Sequence, residues 1–325
     1  MATIVTGAEG QDGLLLIQLL LEHTTGFKIV AVVRPKGSQG LRAELAAQVV
    51  LGRGRVVIET VDINDPAAVY RLVETHRPKE LYHLAAQSFV GTSYDNPGHT
   101  FSVNAVGTLN VLEAVRQGCP ETKVYVAATS EMFSGAPETA PQHELTPLDP
   151  QSPYGVAKVA AYQLARIYRQ AYQLRVWCGI LFNHESHLRG SQFVTQKIAQ
   201  AAARIYKQQR HQWLLLGNLD ACRDWGYAPE YVRGMVQMLQ TETPDDYVLA
   251  TGVTTSVRDF AKLAFAAVDL DWTKYVQVDA ALVRPTEVRV LRGNAEKARQ
   301  QLGWTPETDV AQLAQIMVSA ALATV

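Results

Sequence analysis

Apolar runs rich in β-branched residues alternate with helical patterns through the first half of the chain. The runs are Thr3–Thr6, Ile29–Val33, Val56–Val61, Leu81–Leu84, Val124–Ala128 and Val176–Leu181. The helical patterns between them are Gly13–His23, Asp65–His76, Thr100–Gln117 and Pro153–Ala171. Such alternation builds βαβ units, hence an α/β fold with a doubly wound parallel sheet whose ligands sit at the carboxyl ends of the strands. Past Asn183 the alternation loosens into helical stretches at Gln192–Gln208, Pro229–Gln240, Ser256–Ala267 and Val310–Leu322, separated by short apolar pieces. The pattern predicts a sheet domain over 1–182 and a smaller, mainly helical C-terminal domain over 183–325, with some later chain returning to the first.

Composition narrows the class. The chain has 325 residues, 47% hydrophobic, with a net charge of −1, which suits a folded core rather than disorder. It has no basic block, so a nucleic-acid partner is not expected. The run Leu14–Leu21 is too short to cross a bilayer and is broken by Gln18, so no membrane partner is expected. The opening "MATIVTG" reads directly as a strand, which is expected to leave no room for a signal peptide. Cys119, Cys178 and Cys222 are scattered singles, which points to reduced thiols in a cytoplasm and to neither a metal site nor a disulfide framework.

The segment "TIVTGAEGQDG" places Gly7, Gly10 and Gly13 between the first strand and the first helix. Glycines there permit a tight turn and a close approach to a pyrophosphate, which then rests on the positive end of the helix. Asp12 falls in that first turn, where the dipole tolerates an acid. The second strand ends at Arg34, with Lys36 nearby and no acid. An acid at that position would suit the ribose hydroxyls of NAD; a guanidinium suits the 2′-phosphate of NADP. Asp62, in "VDINDP", fits either an adenine contact or the opening of the next helix.

The run "KVYVAATSEMF" is apolar until it ends in Thr129, Ser130 and Glu131. Continued as a strand, it would put Thr129 and Glu131 on one face. A carboxylate at the mouth of a buried strand is costly without a partner or a task. Further on, "SPYGVAK" sets Tyr154 and Lys158 four apart on one helix face. A phenol titrates near 10, and a neighbouring ammonium is expected to lower that value.

This combination resembles the extended short-chain dehydrogenase/reductase superfamily, which implies a Rossmann-type sheet. Within it, "GQDG", "YHLAAQSFV", "TSEMF", "SPYGVAK", "LFNHES", "FVTQKI", "LGNLDACRDWG" and "RPTEV" are similar to the GDP-mannose 4,6-dehydratase family, in its order and over nearly the whole chain. The resemblance implies Thr129, Glu131, Tyr154 and Lys158 as the catalytic set. It implies NADP contacts from Gly7, Gly10, Gln11, Asp12, Gly13, Arg34, Asp62, Ile63, Leu84, Ala85, Ala86, Ser88, Tyr154, Lys158, His184 and Arg189. It places Ser88, Asn183, Lys197, Arg223, Arg284 and Glu287 near the GDP-sugar, GDP-mannose, and implies a homodimer or homotetramer. The chain departs from the family pattern at Ala8 and Glu9, which add an acid beside the phosphates, at Pro35, which replaces an Arg, and at Leu188, which replaces another.

The implied reaction is dehydration of GDP-D-mannose to GDP-4-keto-6-deoxy-D-mannose, with Tyr154 handling the 4-hydroxyl proton and Glu131 the C5 proton. Two alternatives share the scaffold. A GDP-4-keto-6-deoxy-D-mannose reductase, or another nucleotide-sugar enzyme of the superfamily, needs Tyr and Lys but no C5 base. A non-catalytic NADP-binding regulatory subunit needs neither.

Overall fold

The computed structural model describes residues 2–23, 26–35, 45, 47, 52, 54–208, 212–283, 286 and 288–324. Each apolar run forms a strand: β1 (Ala2–Thr6), β2 (Lys28–Val33), β3 (Val56–Thr60), β4 (Glu80–His83), β5 (Lys123–Thr129) and β6 (Val176–Leu181). The early helices are α1 (Gln11–His23), α2 (Pro66–His76), α3 (Val90–Asp95), α4 (Pro97–Phe101), α5 (Gly107–Gly118) and α6 (Pro153–Ala171). The later chain contributes β7 (Asn183–Glu185), α7 (Val194–Gln208), β8 (Leu214–Leu216), β9 (Cys222–Arg223), β10 (Trp225–Tyr227) and α8 (Ala228–Gln240). It ends with β11 (Asp246–Leu249), β12 (Thr255–Ser256), α9 (Val257–Ala266), β13 (Val276–Val278), α10 (Glu296–Leu302) and α11 (Val310–Thr324).

The main sheet has seven strands in the order β11-β6-β5-β4-β1-β2-β3, every neighbour parallel. The order reverses between β1 and β4, and a crevice at the carboxyl ends of such strands is where a parallel α/β sheet receives ligands. The strand after Asp246 is the returning chain, joining the sheet beside β6 with Val248 opposite Ile180.

Alternation along each strand separates two cores. Ile4, Val30, Val32, Val124 and Val126 face α2, α5 and α6 through Val69, Leu112, Val115 and Tyr162. Val5, Ile29, Ala31, Tyr125 and Trp177 face the other way, onto Leu14 and Ile17 of α1 and Met235 and Met238 of α8. A third core joins α7, α9 and α11 through Ile198, Phe260, Leu313 and Met317. Both faces of the sheet are covered, as a doubly wound fold requires.

One local expectation is refined and one corrected. The stretch Thr100–Gln117 is helical throughout, as expected, but α4 passes through a π-helical turn at Ser102–Val106 before α5. The extra residue per turn carries Asn104 inward, 1% exposed, where it holds the loop after β4. The strand at "TSE" stops at Thr129, and Ser130–Met132 forms one 3₁₀ turn.

Candidate active site

The site begins at the turn after β1. Gly7 has φ +71°, and a Cβ there would stand 2.8 Å from Leu84 C and Ala85 N, so only glycine lets the turn lie against the loop after β4. That loop is tied back by Leu84 N to Thr6 O (3.2 Å) and Ala85 N to Thr6 Oγ1 (3.3 Å). Asn104 completes the hold: its Oδ1 accepts from Gln87 N at 2.8 Å and its Nδ2 donates to Gln87 O at 3.0 Å. The first turn of α1 thus opens onto the crevice with Gln11 and Asp12 in it.

Asp12 finds a partner across the cleft. His184 Nε2 lies 2.9 Å from Asp12 Oδ2, and His184 Nδ1 lies 2.7 Å from Phe182 O. Both neighbours are hydrogen-bond acceptors, a setting that favours the doubly protonated ring. Burial alone would push His184 down; the Asp12 charge and the carbonyl override it and raise its pKa. Burial alone would raise Asp12, but His184 and Gln11 hold its carboxyl at about 2. Gln11 adds Nε2 to His184 O and accepts from Ser186 Oγ, stitching the glycine turn to β7.

The four residues expected to form the catalytic set converge from two elements. Thr129 ends β5 and its Oγ1 accepts from Glu131 N at 3.2 Å, which turns the chain into the 3₁₀ turn bearing Glu131. Helix α6 starts with Ser152 as cap, its Oγ accepting from Gly155 N, and Pro153 in the first turn. Tyr154 and Lys158 are each 7% exposed, as is Glu131. The Lys158 Nζ donates to Ala127 O at 2.9 Å, the carbonyl two residues before Thr129.

The expected lowering of the Tyr154 phenol does not hold in the protein by itself. Burial pushes it up to about 12, against a lowering pull from its hydrogen bond with Thr129. The desolvation of a phenolate outweighs what its neighbours return. Burial also brings Lys158 down to about 8, which leaves it an ammonium at neutral pH.

Thr129, Glu131, Tyr154 and Lys158 line one cleft of about 350 Å³ together with Asp12, Leu84, Ala86, Ser88, Asn183, His184, Arg189, Lys197 and Arg223. Lys197 reaches it from the first turn of α7, its Nζ donating to Leu215 O at 2.8 Å. Arg223 Nη1 donates to Cys222 O (3.0 Å) and Val288 O (2.8 Å), and the next residue, fully buried Asp224, accepts from Thr251 N, Thr251 Oγ1, Gly252 N and Gly293 N, tying the end of β9 to the segments after β11 and before α10. Arg189 lies 3.0 Å from Glu185 Oε2 and over the Phe193 ring. Asn183 Oδ1 is buried with no hydrogen-bond partner among the described residues, an acceptor waiting at the cleft for a donor.

Other expected residues lie outside the cleft. Gly7 and Gly10 belong to the turn itself, Gly13 lies in the first turn of α1 where a Cβ would stand 2.4 Å from Gly7 O, and Ala85 packs on the turn. Ile63 is buried, and its side chain fills the space above Gly107. Asp62 is exposed and its Oδ1 accepts from Asn64, while Asp65, not Asp62, caps α2. Arg34 sits past β2. Arg284 and Glu287 lie outside the described residues. Asn104 and Asn218 are not singled out by the sequence reading; Asn218 lines the same cleft as Lys197 and Arg223, and its place inside "LGN" is the available signal.

The glycine turn, the helix end beyond it and buried Lys158 beside Tyr154 fit a nicotinamide dinucleotide along the crevice; the Lys197 and Arg223 side suits a diphosphate. Comparison with known proteins gives the family. The family model described as GDP-mannose 4,6 dehydratase matches residues 4–317. "GDP-mannose 4,6 dehydratase 2" of Caenorhabditis elegans is 43% identical, covering 98% of this chain and 88% of that one. The GDP-mannose 4,6-dehydratase of Sinorhizobium fredii (strain HH103) is 43% identical, covering 97% and 95%. The human GDP-mannose 4,6 dehydratase is 38% identical, covering 98% and 90%. Among solved structures, DesIV, a dTDP-glucose 4,6-dehydratase from Streptomyces venezuelae with NAD bound, superposes with TM-score 0.88 at 21% identity, covering 100% of this chain and 98% of that one. RMD from Pseudomonas aeruginosa complexed with NADPH superposes with TM-score 0.83 at 22% identity, covering 100% and 99%. These two share the Rossmann-type fold, and the sequence relatives decide the family: the chain belongs to the GDP-mannose 4,6-dehydratases.

Proposed function

We propose that the protein is an NADP-dependent hydro-lyase that converts GDP-D-mannose to GDP-4-keto-6-deoxy-D-mannose and water. The observation that carries this is the meeting of Glu131 with Thr129, Tyr154 and Lys158 in one cleft. A reductase on the same scaffold has no use for that carboxylate, and an idle subunit has no use for any of the four.

Gly7, Gly10, Gly13, Asp12, the Leu84–Ser88 loop, Lys158 and His184 hold the cofactor, and Arg34 offers a guanidinium for the 2′-phosphate of NADP. A nicotinamide held there would supply the acceptor for the C4 hydride, the donor that gives it back at C6, and a positive charge beside Tyr154. Tyr154 takes the proton from the sugar 4-hydroxyl, with the Lys158 ammonium and the Thr129 hydroxyl stabilising charge at the phenol and O4. A 4-ketone makes the C5 proton acidic. Glu131 removes that proton and delivers one to the departing 6-hydroxyl, so water leaves across C5–C6. Lys197, Arg223 and Asn218 face the diphosphate side, and Asn183 Oδ1 takes a sugar or ribose hydroxyl.

The two-unit division at residue 182 assigns cofactor to the sheet and substrate to the later helices; the separate core of α7, α9 and α11 supports it. Exposed Phe101, Val106, Val156 and Ile167 on α4, the π turn and α6 support a homodimer through those helices. No helix among the described residues is long and apolar enough to cross a membrane. The three free cysteines support a cytoplasmic setting.

The test is incubation with GDP-mannose and substoichiometric NADP. A product lighter by one water, with no net NADPH, is expected. NADPH consumed in proportion to a 4-keto-6-deoxy sugar, with GDP-mannose untouched, assigns the reductase instead.

A further inference from the structure

The chain from His184 to Phe193 runs from β7 to the start of α7 and is held to the sheet domain at two places. Toward α1 the hold is polar, through Asp12 with His184 and Gln11 with Ser186. Toward the loop after β4 it is aromatic. Gln87, itself held by Asn104, donates its Nε2 to Phe89 O at 2.9 Å. A Cβ at Gly91 would stand 2.8 Å from Phe89 Cε1, so the Phe89 ring folds back over a position that carries no side chain. That ring meets Phe193 edge to face, with centroids 5.5 Å apart and planes at 85°. The guanidinium carbon of Arg189 stands over the Phe193 ring, 3.5 Å from its centroid. Phe89, Arg189 and Phe193 all line the cleft.

Arg189 Nε lies 3.0 Å from Glu185 Oε2, yet this buried nitrogen has no aligned hydrogen bond among the described residues. The same Glu185 oxygen accepts from Thr195 Oγ1 at 2.7 Å. The Arg189 charge is therefore balanced while that donor is left unused, which is costly at a buried site unless an acceptor arrives. A guanidinium that stacks on a ring engages it with its face and keeps its N–H edge for a planar or phosphate acceptor. Resting on the cofactor placement above, we propose that Phe193, braced by Phe89, is a positioning residue that holds the Arg189 guanidinium by its face and so presents its N–H edge to the phosphates of the bound dinucleotide. Without the ring, the long Arg189 side chain is free to turn onto Glu185, four residues back, and close a hydrogen-bonded pair that withdraws the donors from the cleft. Lys197, by contrast, depends on Phe193 only through the backbone, its N donating to Phe193 O at 2.9 Å. The ring thus serves the cofactor side of the cleft and not the diphosphate of the sugar nucleotide.

The test measures dissociation constants of NADP, and separately of GDP, by calorimetry on the full chain and its variants. Phe193→Leu keeps an apolar side chain and removes the ring face; it is expected to weaken NADP about five- to tenfold. Phe193→Tyr keeps the face and is expected to stay within about twofold of the wild type. Phe89→Leu is expected to weaken NADP by less, in the same direction, and carries the test if Phe193→Leu does not fold. Arg189→Ala is expected to weaken NADP about tenfold or more. In the Arg189→Ala background, adding Phe193→Leu is expected to cost less than about twofold further, because the ring acts through the guanidinium. GDP affinity of Phe193→Leu is expected to stay within about twofold of the wild type. If Phe193→Leu weakens NADP equally in both backgrounds, if Phe193→Tyr loses as much as Phe193→Leu, or if GDP weakens as much as NADP, the ring only packs; the proposal is then wrong and the cofactor placement stands. If Arg189→Ala leaves NADP binding unchanged, the phosphates lie elsewhere and the cofactor placement fails with it.

Discussion

Gly155 rests on the backbone of Glu131: a Cβ at Gly155 would stand 2.5 Å from the Glu131 carbonyl oxygen and 2.9 Å from Pro150 Cβ. The helix that delivers Tyr154 and the turn that delivers Glu131 are thus held at a distance that only glycine allows. Gly155→Ala is expected to force the two apart. Overpacking of this kind costs about 1–3 kcal/mol. The variant should fold with a lowered Tm and lose turnover by about 10²-fold, since small misplacements at reacting groups are costly. Turnover near the wild-type rate in a folded Gly155→Ala would mean that the spacing does not govern the reaction.

Glu131→Gln keeps the shape of the side chain and removes its basicity. Turnover should fall by about 10²–10⁴-fold, the usual worth of a positioned acid–base group. Binding of GDP-mannose and of NADP, measured by calorimetry, should stay within a few-fold. A loss confined to binding, with kcat preserved, would make Glu131 a substrate contact and leave the C5 proton without a base.

The Asp12–His184 pair predicts a shaped pH dependence. Asp12 is held at about 2, so its contribution to stability is fully present above about pH 4 and is lost as pH falls through 2. His184 is raised, so its contribution is fully present below its ordinary value near 6.5 and is lost as pH rises through the folded value. Asp12→Asn should therefore destabilise most between about pH 4 and 6.5, by about 1–3 kcal/mol, and less at either side. Denaturant unfolding across pH checks this. A difference that stays flat from pH 3 to 9 would remove the ion pair from the account.

Tyr154 gives a spectroscopic prediction. With its phenol pushed up to about 12 by burial, the cofactor-free protein should form no phenolate at this residue below pH 10. The ultraviolet titration of Tyr154→Phe should overlay the wild type up to that pH. A tyrosinate step near pH 7 that vanishes in the variant would show that Lys158 and Thr129 lower the phenol unaided.

Much of this was legible in the sequence, for physical reasons that differ by element. The six strands and α6 could be read because a sheet covered on both faces needs continuous apolar runs, and "VWCGIL" and "KVYVAAT" supply them. The π turn at Ser102–Val106 could not, because its residues keep a helical pattern and only the inward turn of Asn104 marks it. Thr129 and Glu131 were expected to share a strand face; they share the cleft instead, because Thr129 Oγ1 captures Glu131 N and turns the chain. Spacing brought Tyr154 and Lys158 together on one helix face, but nothing in "SPYGVAK" measures how far burial raises a phenol. Partners distant in sequence, Asp12 with His184 and Glu9 with Arg34, depend on the sheet order and appear only once β2 and β7 are placed beside the glycine turn.

The central claim, that one sugar gives up a hydride at C4, loses water across C5–C6 and regains the same hydride at C6, is tested most directly by isotope position. GDP-mannose deuterated at C4 is converted in ordinary water with substoichiometric NADP, and the product is read by NMR and mass spectrometry. The account predicts the deuterium at C6, undiluted by solvent, and a matching run of unlabelled substrate in deuterated water predicts solvent deuterium at C5, where Glu131 handles the proton. Deuterium released into free NADPH, or a product that keeps its 6-hydroxyl, would contradict it.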